Sequence, residues 1–379
     1  MAPTDLRCSN CDTEYEAGPG EPWRCECGHP LEFSDRPVPS GDPPPFSRLD
    51  TRRGMWAFFE FLPISEQVSL GEGFTPLVSA PDWDAQFKLE YVTPTGSFKD
   101  RGASTTLSRA VELGVDRVIE DSSGNAGAAI GTYAARAGVE ADIYVPADIE
   151  TSKLMAIQRA GVRPVRVEGG REAVAAACIE AVEDGEGWYA SHAWNPAFLA
   201  GTETFAYEVA AQRDWTAPDV VVLPVGNGTL LLGAYRGFSV LERAGLVDEV
   251  PRLLAAQAKG YAPIADGFDD GGEPSEGVET RSSMHEPVET NEIADGIQIH
   301  DPARKTQIVD AIWATGGTAI AVDENPVELQ LDELHRSGFY VEPTCATASA
   351  ALEAFRRQNV IADDEDVLVP LTGSGMKTL

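Results

Sequence analysis

A single lysine stands where a strand-like run gives way to a helix, in Thr95-Gly96-Ser97-Phe98-Lys99-Asp100-Arg101-Gly102. Lysine is scarce here: Lys88, Lys99, Lys153, Lys259, Lys305 and Lys377 are the full set, and arginine fills nearly every other cationic position. Guanidinium stays charged, whereas a partly desolvated amine can lose its proton and add to a carbonyl. Lys99 is therefore the candidate nucleophile, and a surface lysine opening a helix is the plain alternative.

Three turns elsewhere carry residue types that suit a small, flat, anionic ligand. Ser122-Ser123-Gly124-Asn125 follows the apolar Val118-Ile119. Its small residues let backbone approach a ligand, its amides at a helix start can hold a carboxylate, and Asn125 can bond a ring substituent; a simple helix cap is the alternative. Gly226-Asn227-Gly228-Thr229 follows Val220 to Pro224 and is suited to one phosphate held by amides and the Thr229 hydroxyl. No Gly-Lys-Ser/Thr follows and the third glycine is misplaced, so neither a P-loop nor a dinucleotide fingerprint is present. Near the C-terminus, Leu371-Thr372-Gly373-Ser374-Gly375-Met376-Lys377 puts a neutral hydroxyl just beyond a strand, where it could face a ring nitrogen without protonating it; an ordinary terminal turn is the alternative.

A fourth cluster points to a metal. Cys8-x2-Cys11 and Cys25-x-Cys27-Gly28 bring four of the six cysteines close together in sequence. In a reducing compartment four thiolates can close a tetrahedral structural zinc site, with Gly28 allowing the tight turn; bare thiols or iron are the alternatives. His29 adjoins the cluster and could replace one ligand, although the four cysteines are the expected set. Cys178, on an alanine-rich helix, reads as packing, and Cys345, near a helix start, reads as structural.

The elements that must position these groups alternate in type. Val118-Ile119 precedes a helix from about Ala126 to Ala137, Asp142 to Val145 precedes Thr151 to Ala160, and Pro164 to Val167 precedes Arg171 to Val182. Asp219 to Leu223 leads into a helix after Gly228, and Val367 to Val369 lies near the end. This alternation predicts an α/β protein with parallel sheet, whose ligands bind where strands turn into helices. Residues 1–34 form a ribbon-like module, the proline-rich 35–46 a linker, and 47–379 the catalytic region, with a smaller α/β domain over about residues 92–205 and a larger one from the rest.

Charge narrows the partners. The chain carries 61 acids against 29 bases, a net charge of −32. Such an excess repels a phosphate backbone, so no nucleic-acid partner is expected. Acids spread along the whole chain, with arginine replacing lysine, fit a halophilic protein in a salt-rich cytosol; an ordinary acidic protein is the alternative. No apolar run approaches membrane-spanning length and Met1 to Arg7 lacks a signal pattern, so a cytoplasmic protein with no membrane partner is expected. The acidic stretch Asp266 to Glu292 reads as a solvated loop, or a lid.

Pro94 to Gly102, the Ser-Ser-Gly-Asn turn, the glycine-rich phosphate loop and the terminal Thr-Gly-x-Gly-x-Lys together resemble the fold-type II pyridoxal-phosphate enzymes, which are tryptophan synthase β-like, and most closely the threonine synthases. The N-terminal cysteine ribbon is similar to that of archaeal threonine synthases. The resemblance implies pyridoxal 5'-phosphate on Lys99, its phenolic oxygen at Asn125, its phosphate at Gly226, Asn227, Gly228 and Thr229, and its ring nitrogen at Thr372. Substrate-binding candidates are Ser97, Ser122, Ser123, Gly124 and Asn195. The implied reaction converts O-phospho-L-homoserine and water to L-threonine and phosphate, in a homodimer.

One stretch departs from the family pattern. Many threonine synthases carry Asn-Ser-x-Asn-Pro-x-Arg, whereas this chain reads His192-Ala193-Trp194-Asn195-Pro196-Ala197-Phe198. A phosphate-gripping arginine is thus replaced by Phe198, which keeps open a threonine or serine ammonia-lyase, or a β-replacing synthase of the cysteine or cysteate kind. A binding protein that kept the fold and lost turnover is the alternative from another class.

Overall fold

The computed structural model describes residues 2–268 and 290–378. All but the ends of the acidic stretch Asp266 to Glu292 therefore lies outside the described residues.

In chain order, three short strands come first: β1 (Leu6–Cys8), β2 (Glu14–Tyr15) and β3 (Leu31–Phe33). Next come β4 (Leu77–Ala80), β5 (Ala85–Lys88), α1 (Lys99–Leu113), β6 (Arg117–Glu120), α2 (Asn125–Ala137) and β7 (Glu140–Pro146). The chain continues through α3 (Thr151–Arg159), β8 (Arg163–Val167), α4 (Arg171–Glu183), β9 (Trp188–Tyr189) and α5 (Pro196–Gln212). The remainder is β10 (Val220–Pro224), α6 (Thr229–Arg243), β11 (Arg252–Ala258), α7 (Lys305–Ala314), β12 (Ala319–Val322), α8 (Glu324–Arg336), α9 (Pro343–Arg357) and β13 (Val367–Pro370). The expected alternation of strand and helix is present, with boundaries within a residue or two.

Two compact units result. The first comprises Met1–Phe74 and Thr93–Thr204. Its parallel sheet runs β8-β7-β6-β9, and its N-terminal ribbon is the antiparallel set β2-β1-β3. Leu107 and Ala110 of α1 pack with Val118 of β6, Ile130 and Tyr133 of α2, Ile143 of β7 and Phe198 of α5 in one buried cluster. The apolar residues of α2 recur at helical spacing and bury one stripe, whereas α1 is buried on every face from Asp100 to Ala110. Both helices start at or just after turns that the sequence marked, which places Lys99 and Asn125 at helix N-termini.

The second unit comprises Thr75–Val92 and Phe205–Leu379. Its sheet runs β12-β11-β10-β13-β5-β4, parallel except for the edge strand β4. Phe87, Val220, Val222, Leu254, Val367 and Val369 of the sheet meet Leu334, Leu352 and Phe355 of α8 and α9. Strands buried on both faces read as continuous apolar runs, as Val220-Val221-Val222-Leu223 does. Lys88, another of the scarce lysines, lies in this unit and is fully buried. Its Nζ donates to Thr75 O at 2.7 Å, Glu208 Oε2 at 3.0 Å and Gln212 Oε1 at 2.7 Å, a structural use of ammonium. Among the described residues no helix is long and apolar enough to cross a membrane.

Candidate active site and metal centre

Lys99 is the first residue of α1 and is half-buried. The turn before it is pinned by Asp100, whose carboxylate accepts the Thr95 amide at 2.7 Å and the Thr95 hydroxyl, and by Thr93 Oγ1 donating to Ser97 O at 2.9 Å. Asp100 and Arg101 are fully buried, and Arg101 Nη1 donates to Thr204 Oγ1 at 3.0 Å. The lysine amine lies 4.5 Å from the centre of the Phe98 ring and 5.9 Å from that of Phe198. Phe198 is fully buried against Gly102: a Cβ added at Gly102 would come within 2.3 Å of its ring, so the close approach of α5 to α1 needs glycine there. Where a guanidinium would serve an anionic substrate, the chain has put an apolar floor beside its lysine.

Ser97, two residues before the lysine, is fully buried, and its Oγ has no hydrogen-bond partner among the described residues. A buried hydroxyl left unbonded costs free energy unless a ligand satisfies it. The observation fits a polar ligand beside Lys99.

The turn Ser122 to Asn125 leaves the carboxyl end of β6 and opens α2, as the sequence predicts. Just before it, Glu120 and Asp121 close the strand. Glu120 is fully buried; its Oε1 lies 2.7 Å from Nδ1 of His192, and its Oε2 accepts the His192 amide at 3.3 Å. Burial pushes the Glu120 carboxyl up to about 8, against the opposing pull of the His192 amide and the Lys99 charge. Burial likewise drives His192 down to about 3, with the Lys99 and Arg171 charges acting in the same direction and Asp121 opposing them. Asp121 accepts the Tyr189 hydroxyl at 2.9 Å, and burial raises its carboxyl too. Reasoning from sequence did not pick out Glu120. The signal available was the acidic pair Glu120-Asp121 directly before the Ser122 to Asn125 turn.

Asn195, expected at the substrate, has both ends of its amide engaged with backbone: Nδ2 donates to Tyr189 O at 3.1 Å and Oδ1 accepts the Ala197 amide at 2.9 Å. It caps α5. It also lines a cavity of about 600 Å³ whose walls include Glu21, Trp23, Arg117, Trp188 and Tyr189.

In the second unit the glycine-rich loop and the threonine turn lie at the carboxyl ends of β10 and β13, which are neighbours in the sheet. Gly228 has φ +69 and a Cβ there would come within 2.3 Å of Ile308, so both conformation and space demand glycine. The loop delivers its chain into the N-terminus of the 15-residue α6, with Thr229 as the first helical residue. That arrangement fits a phosphate group. Thr372 is buried, and the turn that holds it rests on Cys345: the Thr372 and Gly373 amides donate to Cys345 Sγ at 3.1 and 3.2 Å. Burial, followed by the Glu342 charge, pushes the Cys345 thiol up to about 12. It is therefore an unreactive thiol that shapes the threonine turn, accepting both amides and donating to Gly373 O at 3.3 Å. Cys178, also buried, packs against Ile119, Tyr144 and Tyr189, as its helix pattern implies.

The four ribbon cysteines converge, with all four sulfurs within 4.8 Å of one another. Cys8 and Cys27 sulfurs are 3.6 Å apart and those of Cys11 and Cys25 3.4 Å. A tetrahedral site with Zn–S bonds of about 2.3 Å has edges of about 3.8 Å, so the spacing fits a metal of that size. Hydrogen bonds from the Thr13 hydroxyl to Cys11 and from Tyr15 to Cys25 lower those thiols, and a backbone bond at His29 lowers Cys27. The ribbon is fastened to α1 through Arg109, whose Nη2 donates to Thr4 O at 2.7 Å and Glu21 Oε2 at 2.6 Å.

A parallel α/β scaffold with a lysine at a helix start and ligand turns at strand ends defines a class, and comparison with known proteins identifies it. A model of the pyridoxal-phosphate-dependent enzyme family matches residues 68–373, and the chain belongs to that family. Within it, the likeness is to threonine synthases. That of Methanocaldococcus jannaschii is 32% identical, over 98% of this chain and 92% of the relative. That of Methanosarcina acetivorans is 32% identical over 85% and 80%, and that of Mycobacterium bovis 30% over 85% and 87%. Solved structures share the fold-type II architecture. Maize serine racemase superposes with a TM-score of 0.65 at 22% identity, covering 79% of this chain and 88% of that one. A fungal L-serine ammonia-lyase from Rhizomucor miehei gives 0.63 at 22%, covering 79% and 93%.

Proposed function

We propose that this protein is a threonine synthase-like lyase that converts O-phospho-L-homoserine and water into L-threonine and inorganic phosphate. The observation that carries the reading is the identity to threonine synthases of 30% or more over 85% or more of the chain. Pyridoxal phosphate, when bound, supplies an electron sink that acidifies the α-carbon of an amino acid. Lys99 is the residue that would carry it, and its amine, once released, would hold and move the proton at the α-carbon. Asn125 would bond the phenolic oxygen, Gly226, Asn227, Gly228 and Thr229 the phosphate, and Thr372 would offer the ring nitrogen a neutral hydroxyl. The Ser122, Ser123 and Gly124 turn, with Ser97 Oγ, would receive the substrate carboxylate.

Four thiolates of Cys8, Cys11, Cys25 and Cys27 would hold a structural zinc, with no open position for chemistry. A homodimer in a salt-rich cytosol completes the reading. A second reading, an ammonia-lyase acting on threonine or serine or a β-replacing synthase, is favoured by the buried Phe198 ring beside Lys99, which offers no grip for a substrate phosphate.

The test is product analysis in concentrated potassium chloride with pyridoxal phosphate and O-phospho-L-homoserine, beside a Lys99→Ala control. Stoichiometric phosphate and threonine from the wild type alone are expected. Ammonia from serine or threonine, without phosphate release from phosphohomoserine, would sink the first reading in favour of the second.

A further inference from the structure

Glu120 and His192 form a buried acid and imidazole pair on the Lys99 side of the first unit, and none of the roles assigned above uses it. Glu120 ends β6 and His192 lies just beyond β9, the strand that pairs with β6, so the sheet brings the two side chains together. Both carboxylate oxygens are engaged by the same residue, one by the ring and one by the amide, which fixes the imidazole in a single orientation. The His192 ring centre is 6.0 Å from that of Phe198, and Lys99 Nζ lies 5.9 Å from the centre of the same phenyl ring. The pair and the lysine thus share Phe198 as a common apolar neighbour, in a setting where charges are weakly screened. Lys99 acts electrostatically on both members.

We propose that Glu120 and His192 are positioning residues that share one proton with Lys99. When the lysine amine takes a proton, the Glu120 carboxyl gives one up and is held as carboxylate by the His192 ring and amide; when the amine releases it, the carboxyl is protonated again. The net charge of the three groups then stays constant while the proton moves. A pair that can supply or remove a charge in this way keeps a neutral amine available at Lys99 over a wider pH range than an isolated lysine allows. Among the described residues, ionisable groups facing the pair include Asp121 beside it on the chain, Arg171 and Cys178 of α4, and Tyr189 of β9. Of these, Arg171 is permanently charged, while burial raises Asp121, Cys178 and Tyr189 towards their neutral forms.

The inference rests on Lys99 being the residue that takes up the cofactor. Its test measures amine chemistry and needs no turnover. Full-length protein stripped of cofactor is mixed with pyridoxal phosphate between about pH 6 and 10, where an unperturbed and a depressed lysine differ most. Incorporation at Lys99 is trapped with borohydride and followed by peptide mass spectrometry, with N-acetyl-lysine as the reference amine. The wild-type rate is expected to rise in two steps separated by a plateau, because the fraction of neutral amine is constant while the shared proton only moves. Glu120→Gln cannot give up a proton, so its profile is expected to collapse to one step, with a tenfold rise per pH unit below its midpoint. Glu120→Asp restores a carboxyl and is expected to restore two steps, which keeps the test informative should the Gln variant fold poorly. A single step at the same midpoint in wild type and Glu120→Gln, or a uniform loss of rate with an unchanged profile, overturns the proposal and leaves the lysine assignment standing. Incorporation at a residue other than Lys99 overturns both.

Discussion

Glu120 is fully buried with its carboxyl raised to about 8 from an ordinary 4.5, which makes its contribution to stability depend on pH in a definite sense. Between those values the folded protein keeps a proton that the unfolded chain has lost. Stability contributed at this site is therefore present below about 4.5 and declines as the pH rises towards 8, by at most about 1.4 kcal/mol per pH unit. Replacing the residue with glutamine removes the titration. In urea unfolding from pH 5 to 8, Glu120→Gln is expected to gain stability relative to wild type as the pH rises, and a difference that stays flat would show that Glu120 is ionised throughout. His192, depressed to about 3, acts in the opposite sense below its ordinary 6.5, so the part of the difference that belongs to Glu120 alone is read above that pH.

At the scale of the element, α1 joins two sites. Lys99 is its first residue and Arg109 lies in its last turns, where it is 1% exposed and paired to Glu21, 4% exposed, on the ribbon. Burial raises the Glu21 carboxyl and the Arg109 guanidinium opposes that shift. Removing one partner of such a pair strands the other, at a cost of about 3–5 kcal/mol. Arg109→Ala is expected to lower the denaturation midpoint accordingly and to speed removal of bound zinc by a chelator, because the ribbon loses its fastening to the helix. Unchanged chelator kinetics would mean that the ribbon folds independently of α1. The cysteine spacing predicted that four thiols converge but not this fastening, since no local pattern announces that an arginine of α1 will reach back to Thr4 and Glu21.

At the scale of the whole molecule, the net charge of −32 sets how the fold responds to its solvent. Like charges spread over the surface repel one another, and the Debye length falls from about 10 Å at 0.1 M salt to about 3 Å at 1 M. The melting temperature is expected to rise steeply with potassium chloride between those concentrations, because repulsion is relieved more in the compact state than in the unfolded chain. A melting temperature independent of salt would argue that the acids serve something other than adaptation to salt.

Strand and helix periodicity, with glycine and small-residue turns between them, was legible in the chain because it depends on neighbours a few residues apart. Thus α2, α3 and α4 form close to where their apolar patterns predict, and Lys99, Asn125 and Thr229 each stand at a helix start. The cysteine pairs were legible for the same reason: two short spacings need only a hairpin to bring four sulfurs together. Packing decided the rest. Only the fold brings Phe198 against Gly102, gives Cys345 the amides of the threonine turn to hold, and buries Glu120 against His192, 72 residues away. Desolvation is set by everything packed around a group, so whether a carboxyl stays ionised cannot be read from the residues beside it in the chain.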